Sequence, residues 1–190
     1  MNKEIKWSHQ RRNLRLPDFD YSMDGAYFVT IVTQQRKCLF GSVVNQAMVL
    51  NDAGRMVENV CEEIPFHLSG IELGTYQIMP NHFHTIIMLY QHVGATLRGC
   101  PGQAQRPAPT DMFEVYTPTL LSLPDVVHRF KSITTNRYME GVRQSQWPKF
   151  EQRLWQRNYY EHVVRDEIDF QSITDYIQSN PANWDKNDEY

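Results

Sequence analysis

Met79-Pro80-Asn81-His82-Phe83-His84-Thr85-Ile86-Ile87-Met88-Leu89 is a tight-turn dipeptide followed by a short apolar run. Eight residues from His82 to Leu89 are too few for a typical helix and apolar enough for a buried strand. His82 and His84 are two apart, and side chains two apart on a strand leave the same face, with Cα atoms roughly 7 Å apart. Two imidazoles presented side by side from a rigid support suit a metal ion. They equally suit a strand end where each histidine finds a hydrogen-bond partner.

Working outward, Ile71–Met79 is a second strand-like run, and Pro80-Asn81 is the chemistry of a tight turn, so an antiparallel hairpin is expected. Ala26–Gln34 is rich in β-branched and aromatic residues and reads as a central strand, closed by a turn at Leu39-Phe40-Gly41. Asn51 can cap a helix whose buried stripe is Ala53, Met56, Val57, Val60, Cys61 and Ile64, ended by Pro65. Pro124 opens a second helix with Val126, Val127, Phe130, Ile133 and Thr134 inside. Phe150–Arg157 is expected as a short strand. Asp166 then caps a last helix with Ile168, Ile173 and Ile177 on its buried side, stopped at Asn180-Pro181. Strand, helix, strand, strand, helix, strand is the split βαβ pattern. The predicted class is α+β: a ferredoxin-like or RRM-like antiparallel sheet with helices on one face and an extra C-terminal helix. Gln91–Pro118, rich in Gly, Pro, Ala, Thr and Gln, reads as a flexible surface excursion within a single domain spanning 1–190.

Composition narrows the function classes. At 190 residues the chain can bury one sizeable core. No run approaches the ~18 apolar residues of a membrane span, and no apolar segment follows the basic N-terminus as in a signal peptide. The expected location is cytoplasmic, without membrane association. Cys38, Cys61 and Cys100 lack a Cys-x-x-Cys pair, which supports neither a disulfide framework nor a structural zinc site. The net charge is −3 but unevenly spread. Residues 1–16, expected as an extended arm, carry five bases against Glu4, and residues 126–157 carry seven bases against two acids. Such zones are compatible with a locally bound polyanion and also with ordinary solvated faces.

A metal held by two histidines needs further ligands. His9, His67, His92, His128 and His162 are scattered, and position 86 is Ile, which counts against hydrolases with three alternating histidines on one strand. Imidazole suits zinc, manganese, iron or copper, and oxygen ligands favour magnesium or manganese. On the last helix Tyr176 and Asn180 are four apart and share a face. A tyrosine hydroxyl, with a pKa of about 10, becomes a usable nucleophile beside a metal-bound phosphate. Asn180 could lend its amide oxygen. The same spacing also describes a surface tyrosine and a helix C-cap. Tyr159 and Tyr160 are rival nucleophiles.

Three separated blocks carry a family resemblance. Met79-Pro80-Asn81-His82-Phe83-His84, preceded by Tyr27-Phe28-Val29-Thr30, resembles the His-hydrophobic-His motif of single-strand-DNA tyrosine transposases. Leu154-Trp155-Gln156-Arg157-Asn158-Tyr159-Tyr160-Glu161-His162 and Asp175-Tyr176-Ile177-Gln178-Ser179-Asn180-Pro181 are similar to the two C-terminal blocks of the REP-associated tyrosine transposases. The resemblance runs from about Arg15 to Trp184, interrupted by the excursion. It implies a metal-dependent nuclease and strand transferase for single-stranded DNA, using Mg²⁺ or Mn²⁺. In that family the tyrosine forms a 5′-phosphotyrosine link at palindromic hairpin repeats, and the resemblance implies the same here. It further implies Tyr176 as nucleophile, since the reactive tyrosine precedes Ile-x-x-Asn-Pro, and His82, His84 and Asn180 as metal ligands. Asn180 stands where relatives often have Gln. Arg11, Arg12 and Arg15 on the arm, with Lys131 and Arg137 on the second helix, are the candidate DNA contacts. Family members work as monomers or as homodimers. The competing expectation is a domesticated hairpin-DNA-binding protein on an RRM-like sheet, with little or no catalysis.

Overall fold

The computed structural model describes residues 19–90 and 121–186. The arm over 1–16 and the excursion over 91–118 lie outside the described residues, and so do Arg11, Arg12, Arg15 and Cys100. The strands are β1 (Gly25–Val32), β2 (Gly41–Val44), β3 (Ala47–Leu50), β4 (Ile71–Ile78), β5 (His82–Leu89) and β6 (Tyr160–Val163). The helices are α1 (Asp52–His67), α2 (Leu123–Gln144) and α3 (Glu167–Ser179).

The main sheet has the order β4-β5-β1-β6, with every neighbouring pair antiparallel. With α1 leading into β4 and α2 into β6, this is the ferredoxin-like arrangement, as predicted. Alternation along β1 and β5 separates two faces. Tyr27, Val29, Ile31, Phe83, Ile87 and Leu89 point into the larger core, where they meet Val57, Val60, Cys61 and Ile64 of α1 and Val126, Val127 and Phe130 of α2. Phe28 and Ile86 point the other way and pack against Ile173 and Ile177 of α3. Those two isoleucines are one turn apart, and burying both stabilises the seated helix by about 3–6 kcal/mol before ordering costs. The extra C-terminal helix therefore covers the sheet face opposite α1 and α2.

Local chemistry sets the element ends. Asn51 Oδ1 accepts from the Gly54 backbone N–H at 2.9 Å while its Nδ2 donates to the Leu39 carbonyl at 3.0 Å, so one side chain caps α1 and ties it to the preceding loop. Gly54 is required there, since a Cβ would stand 2.2 Å from the Phe40 carbonyl oxygen. Ser122 and Asp125 form a capping box at α2, and Asp166 caps α3 by accepting from Asp169 N at 2.8 Å.

Four local expectations are corrected. The turn after β1 leads into a separate hairpin, β2–β3, whose residues alternate only between exposed and half-buried positions. α1 runs through Pro65 to His67: Pro65 lies in the last turn, and the buried Leu68 closes the helix by donating its N–H to Ile64 O at 3.0 Å. Ile168 is 80% exposed rather than buried, because it precedes the Ile173/Ile177 stripe by five residues, off its face. The fourth sheet strand is Tyr160–Val163, not Phe150–Arg157. The earlier segment carries two buried anchors, Leu154 and Trp155, and joins β1 only at its end, through Gln156 N to Val32 O and Gln34 N to Leu154 O, both 2.8 Å. The true strand is half-buried at all four positions, so no alternation marks it.

Candidate active site

Cross-strand register assembles the site. Thr30 pairs with His84 and Val32 with His82 across β1 and β5, and Gln77 of β4 pairs with His84 from the other side. Thr30, His82 and His84 thus occupy the α3 face, at the end of the sheet beside the Pro80-Asn81 turn. Both imidazoles are buried, His82 3% and His84 1% exposed, with ring centroids 4.5 Å apart.

Each imidazole is gripped at Nδ1. His82 Nδ1 is 2.7 Å from Asn81 Oδ1, and His84 Nδ1 is 2.8 Å from Thr30 Oγ1. An amide oxygen only accepts, so a bond to Asn81 Oδ1 requires the proton on His82 Nδ1. Asn81 is itself fixed, since its carbonyl oxygen accepts from Thr33 N and Thr33 Oγ1, both at 2.9 Å. His84 Nε2 is buried with no hydrogen-bond partner among the described residues.

Helix α3 brings the second half of the site. The Tyr176 ring lies 5.4 Å from the His84 ring at 67° and 6.0 Å from Phe28 at 88°, both edge-to-face. Asn180, at the C-cap of α3, is 2% exposed, and its side chain is a hydrogen-bond partner of His82. Past α3, the 3-10 turn Pro181–Lys186 places the Trp184 ring against His82, centroids 6.0 Å apart and 28° from parallel. His82, His84, Tyr176 and Asn180 are therefore neighbours, although some ninety residues of sequence separate the two halves.

Electrostatics keep the histidines neutral. Burial pushes the His82 imidazole down to about 4, the hydrogen bond with Asn180 opposes this, and the Arg36 cation adds to the lowering. Burial, helped by His82, holds His84 well below its ordinary value of 6.5. Neutral imidazoles with Nδ1 engaged are the form that ligates a metal through Nε2. Among the described residues no group of three or more His, Cys, Asp or Glu side chains is placed to hold a metal ion. A cation here would draw on two imidazoles, the Asn180 amide and oxygens from substrate or water. That mixed nitrogen and oxygen set fits manganese or magnesium.

Lys131 and Arg137, the two described residues among those expected to contact DNA, are placed away from this site. Lys131 Nζ donates to the carbonyls of Gln156, Arg157 and Asn158 at 2.9, 3.3 and 3.0 Å and stands 5.4 Å from the Tyr159 ring centroid. Arg137 pairs with Glu63 at 2.6 Å. Both belong to α2, on the face of the sheet away from the histidines. Of the rival tyrosines, Tyr159 is buried in the larger core, whereas Tyr160 pairs with Thr30 and so shares the histidines' face. Sequence reasoning missed Thr30, Asn81, Arg36 and Trp184. Asn81 adjoins the motif and could have been read as a partner for its neighbour, but Thr30 emerges only from the register.

No family profile matches the chain. An uncharacterised protein of Haemophilus influenzae is 34% identical over 186 residues, covering 96% of this chain and 94% of that protein. A second protein of the same bacterium, provisionally named a REP-associated tyrosine transposase, is 26% identical over 168 residues, covering 86% of this chain and 73% of its own length. Among solved structures, a REP-associated tyrosine transposase bound to a REP hairpin superposes with a TM-score of 0.51 at 17% identity, over 90% of this chain and 73% of that one. At that identity the superposition speaks to the fold, which is shared. With the three sequence blocks now assembled around one site on that fold, the chain is similar to the REP-associated tyrosine transposases in sequence and shares their fold.

Proposed function

We propose that the protein is a divalent-metal-dependent endonuclease and strand transferase for single-stranded DNA, acting beside palindromic hairpins through a 5′-phosphotyrosine intermediate. The observation that carries this reading is the contact between the Tyr176 ring and His84, which joins a nucleophile to a pair of neutral, preoriented imidazoles. In the proposed step the Tyr176 oxygen forms a bond to a backbone phosphorus, the bond from that phosphorus to the 3′-oxygen breaks, and the leaving oxygen takes up a proton as a 3′-hydroxyl. One phosphodiester is exchanged for another, so the reverse step joins a new 3′-hydroxyl without an energy cofactor. A cation bound by His82, His84 and Asn180 would supply Lewis acidity at the phosphate. The chain's own contributions are orientation and exclusion of water: Phe28 and Ile173 pack the floor, and Trp184 flanks His82.

The competing reading, a hairpin-binding protein using an RRM-like open sheet, loses ground on one point. Phe28, the aromatic that such a sheet would stack bases on, is 6% exposed beneath α3. A hairpin oligonucleotide with a single-stranded flank, labelled on its 3′ side and incubated with and without Mn²⁺ or Mg²⁺, tests the proposal on a denaturing gel. A metal-dependent protein–DNA band is expected. Binding without any such band, in either metal, would favour the non-catalytic reading.

A further inference from the structure

We propose that Asn81 and Thr30 are positioning residues that place the imidazole proton on Nδ1 of His82 and His84 and so leave Nε2 of each as the lone-pair nitrogen. The inference deepens the metal-site reading and rests on it for its purpose, though not for its test.

The two grips differ in kind. Asn81 Oδ1, 2.7 Å from His82 Nδ1, is an obligate acceptor, so the neutral ring keeps this bond only with its proton on Nδ1, against the competing pull of Asn180 on the same ring. The reach of Asn81 is fixed by the Thr33 bonds to its own carbonyl, which lock the turn against the end of β1. Thr30 Oγ1, 2.8 Å from His84 Nδ1, can donate or accept. Burial weighs on that choice. If Thr30 donated, the His84 proton would sit on Nε2, a buried nitrogen with no acceptor among the described residues, and an unsatisfied buried N–H is costly. With Thr30 accepting, Nε2 carries a lone pair ready for an electrophile. A strand position and a turn position on different elements thus perform the same operation on two adjacent rings. Outer partners of this sort typically change metal affinity 10–100-fold when removed.

The test uses ¹⁵N-labelled full-length protein free of metal, with long-range ¹H–¹⁵N spectra that assign the protonated nitrogen of each imidazole. Both His82 and His84 are expected as Nδ1–H. In Asn81→Leu the His82 proton is expected to move toward Nε2, and Asn81→Asp is expected to restore Nδ1–H. In Thr30→Val the same shift is expected at His84, with rescue by Thr30→Ser. Mn²⁺ affinity, followed by the loss of the free-ion EPR signal, should fall about 10–100-fold in Asn81→Leu and Thr30→Val and recover in the conservative variants. Backbone amide spectra report whether each variant keeps its fold, and the wild-type tautomers decide even if one does not. Finding Nε2–H at His82 in the wild type, or unchanged tautomers in both disruptive variants, would overturn the assignment. If the wild type binds no Mn²⁺ while its tautomers respond as described, the metal reading fails and the positioning role stands.

Discussion

Replacing Lys131 by methionine separates a structural role from a DNA-contact role, because the two make opposite demands. Lys131 Nζ serves three backbone carbonyls in succession, Gln156, Arg157 and Asn158, and these close the path from the Trp155 anchor into β6. A hydrogen bond from a charged donor is worth about 1.5–3 kcal/mol. The three share one ammonium, and Arg157 and Asn158 are exposed, so water can take over two of the acceptors. The net loss should be about 1.5–3 kcal/mol, including the stacking over Tyr159. For a domain of this size that lowers Tm by roughly 3–12 °C. Burial draws the Lys131 ammonium down to about 8, which further disfavours its use as a free cation. The assays are a thermal melt and the salt dependence of hairpin binding. A lowered melt and an unchanged salt slope are expected. A melt identical to wild type, together with a slope reduced by about one unit, would show that Lys131 contacts a phosphate instead.

Three further outcomes follow from the same structure. Thr134 is fully buried, donates to Phe130 O and accepts from Trp155 Nε1, both at 2.8 Å. Thr134→Val therefore orphans the indole N–H and should cost about 1–3 kcal/mol in urea unfolding, with changed Trp fluorescence. Asp169 ties α3 to β6 by accepting from His162 Nε2 at 2.8 Å and Arg165 N at 3.1 Å. Burial raises its carboxyl, but those bonds prevail and hold it below 3.8. Its stabilising contribution is therefore complete above that unfolded value and lost as pH falls through the lower folded one. Asp169→Asn should be less stable than wild type by about 1–2 kcal/mol at pH 6, with the gap closing below about pH 4 in acid-dependent melts. Gly141→Ala would set a Cβ 2.2 Å from the Trp147 ring, and a destabilisation of about 1–3 kcal/mol is expected by thermal melt.

How much was legible in the sequence depended on whether a residue's role was local. The Met79–Leu89 hairpin and the α1 and α3 caps were readable, because turn chemistry, periodicity and capping act within a few residues. The pairing of Tyr176 with His84 was not. Spacing placed Tyr176 and Asn180 on one helix face, but only family resemblance connected that face to the histidines, and only Ile173 and Ile177 packing on Phe28 and Ile86 shows how it is held there. The strand expected over 150–157 failed because Leu154 and Trp155 look like strand residues while serving as core anchors. Charge was the least informative signal: Lys131 and Arg137 lie off their helix's apolar stripe, yet each is engaged by the protein itself. Thr30 and Asn81 escaped notice because a hydroxyl and an amide gain meaning only from the ring nitrogen opposite them.

Locating the covalent link tests the role of Tyr176 as nucleophile. The full-length protein, incubated with Mn²⁺ and a hairpin oligonucleotide bearing a single-stranded flank, is digested with protease and nuclease, and the nucleotide-bearing peptide is sequenced by mass spectrometry. A 5′-nucleotide on Tyr176 is expected, lost in Tyr176→Phe and retained in Tyr160→Phe. A nucleotide on Tyr159 or Tyr160, or an undiminished adduct in Tyr176→Phe, would contradict that role.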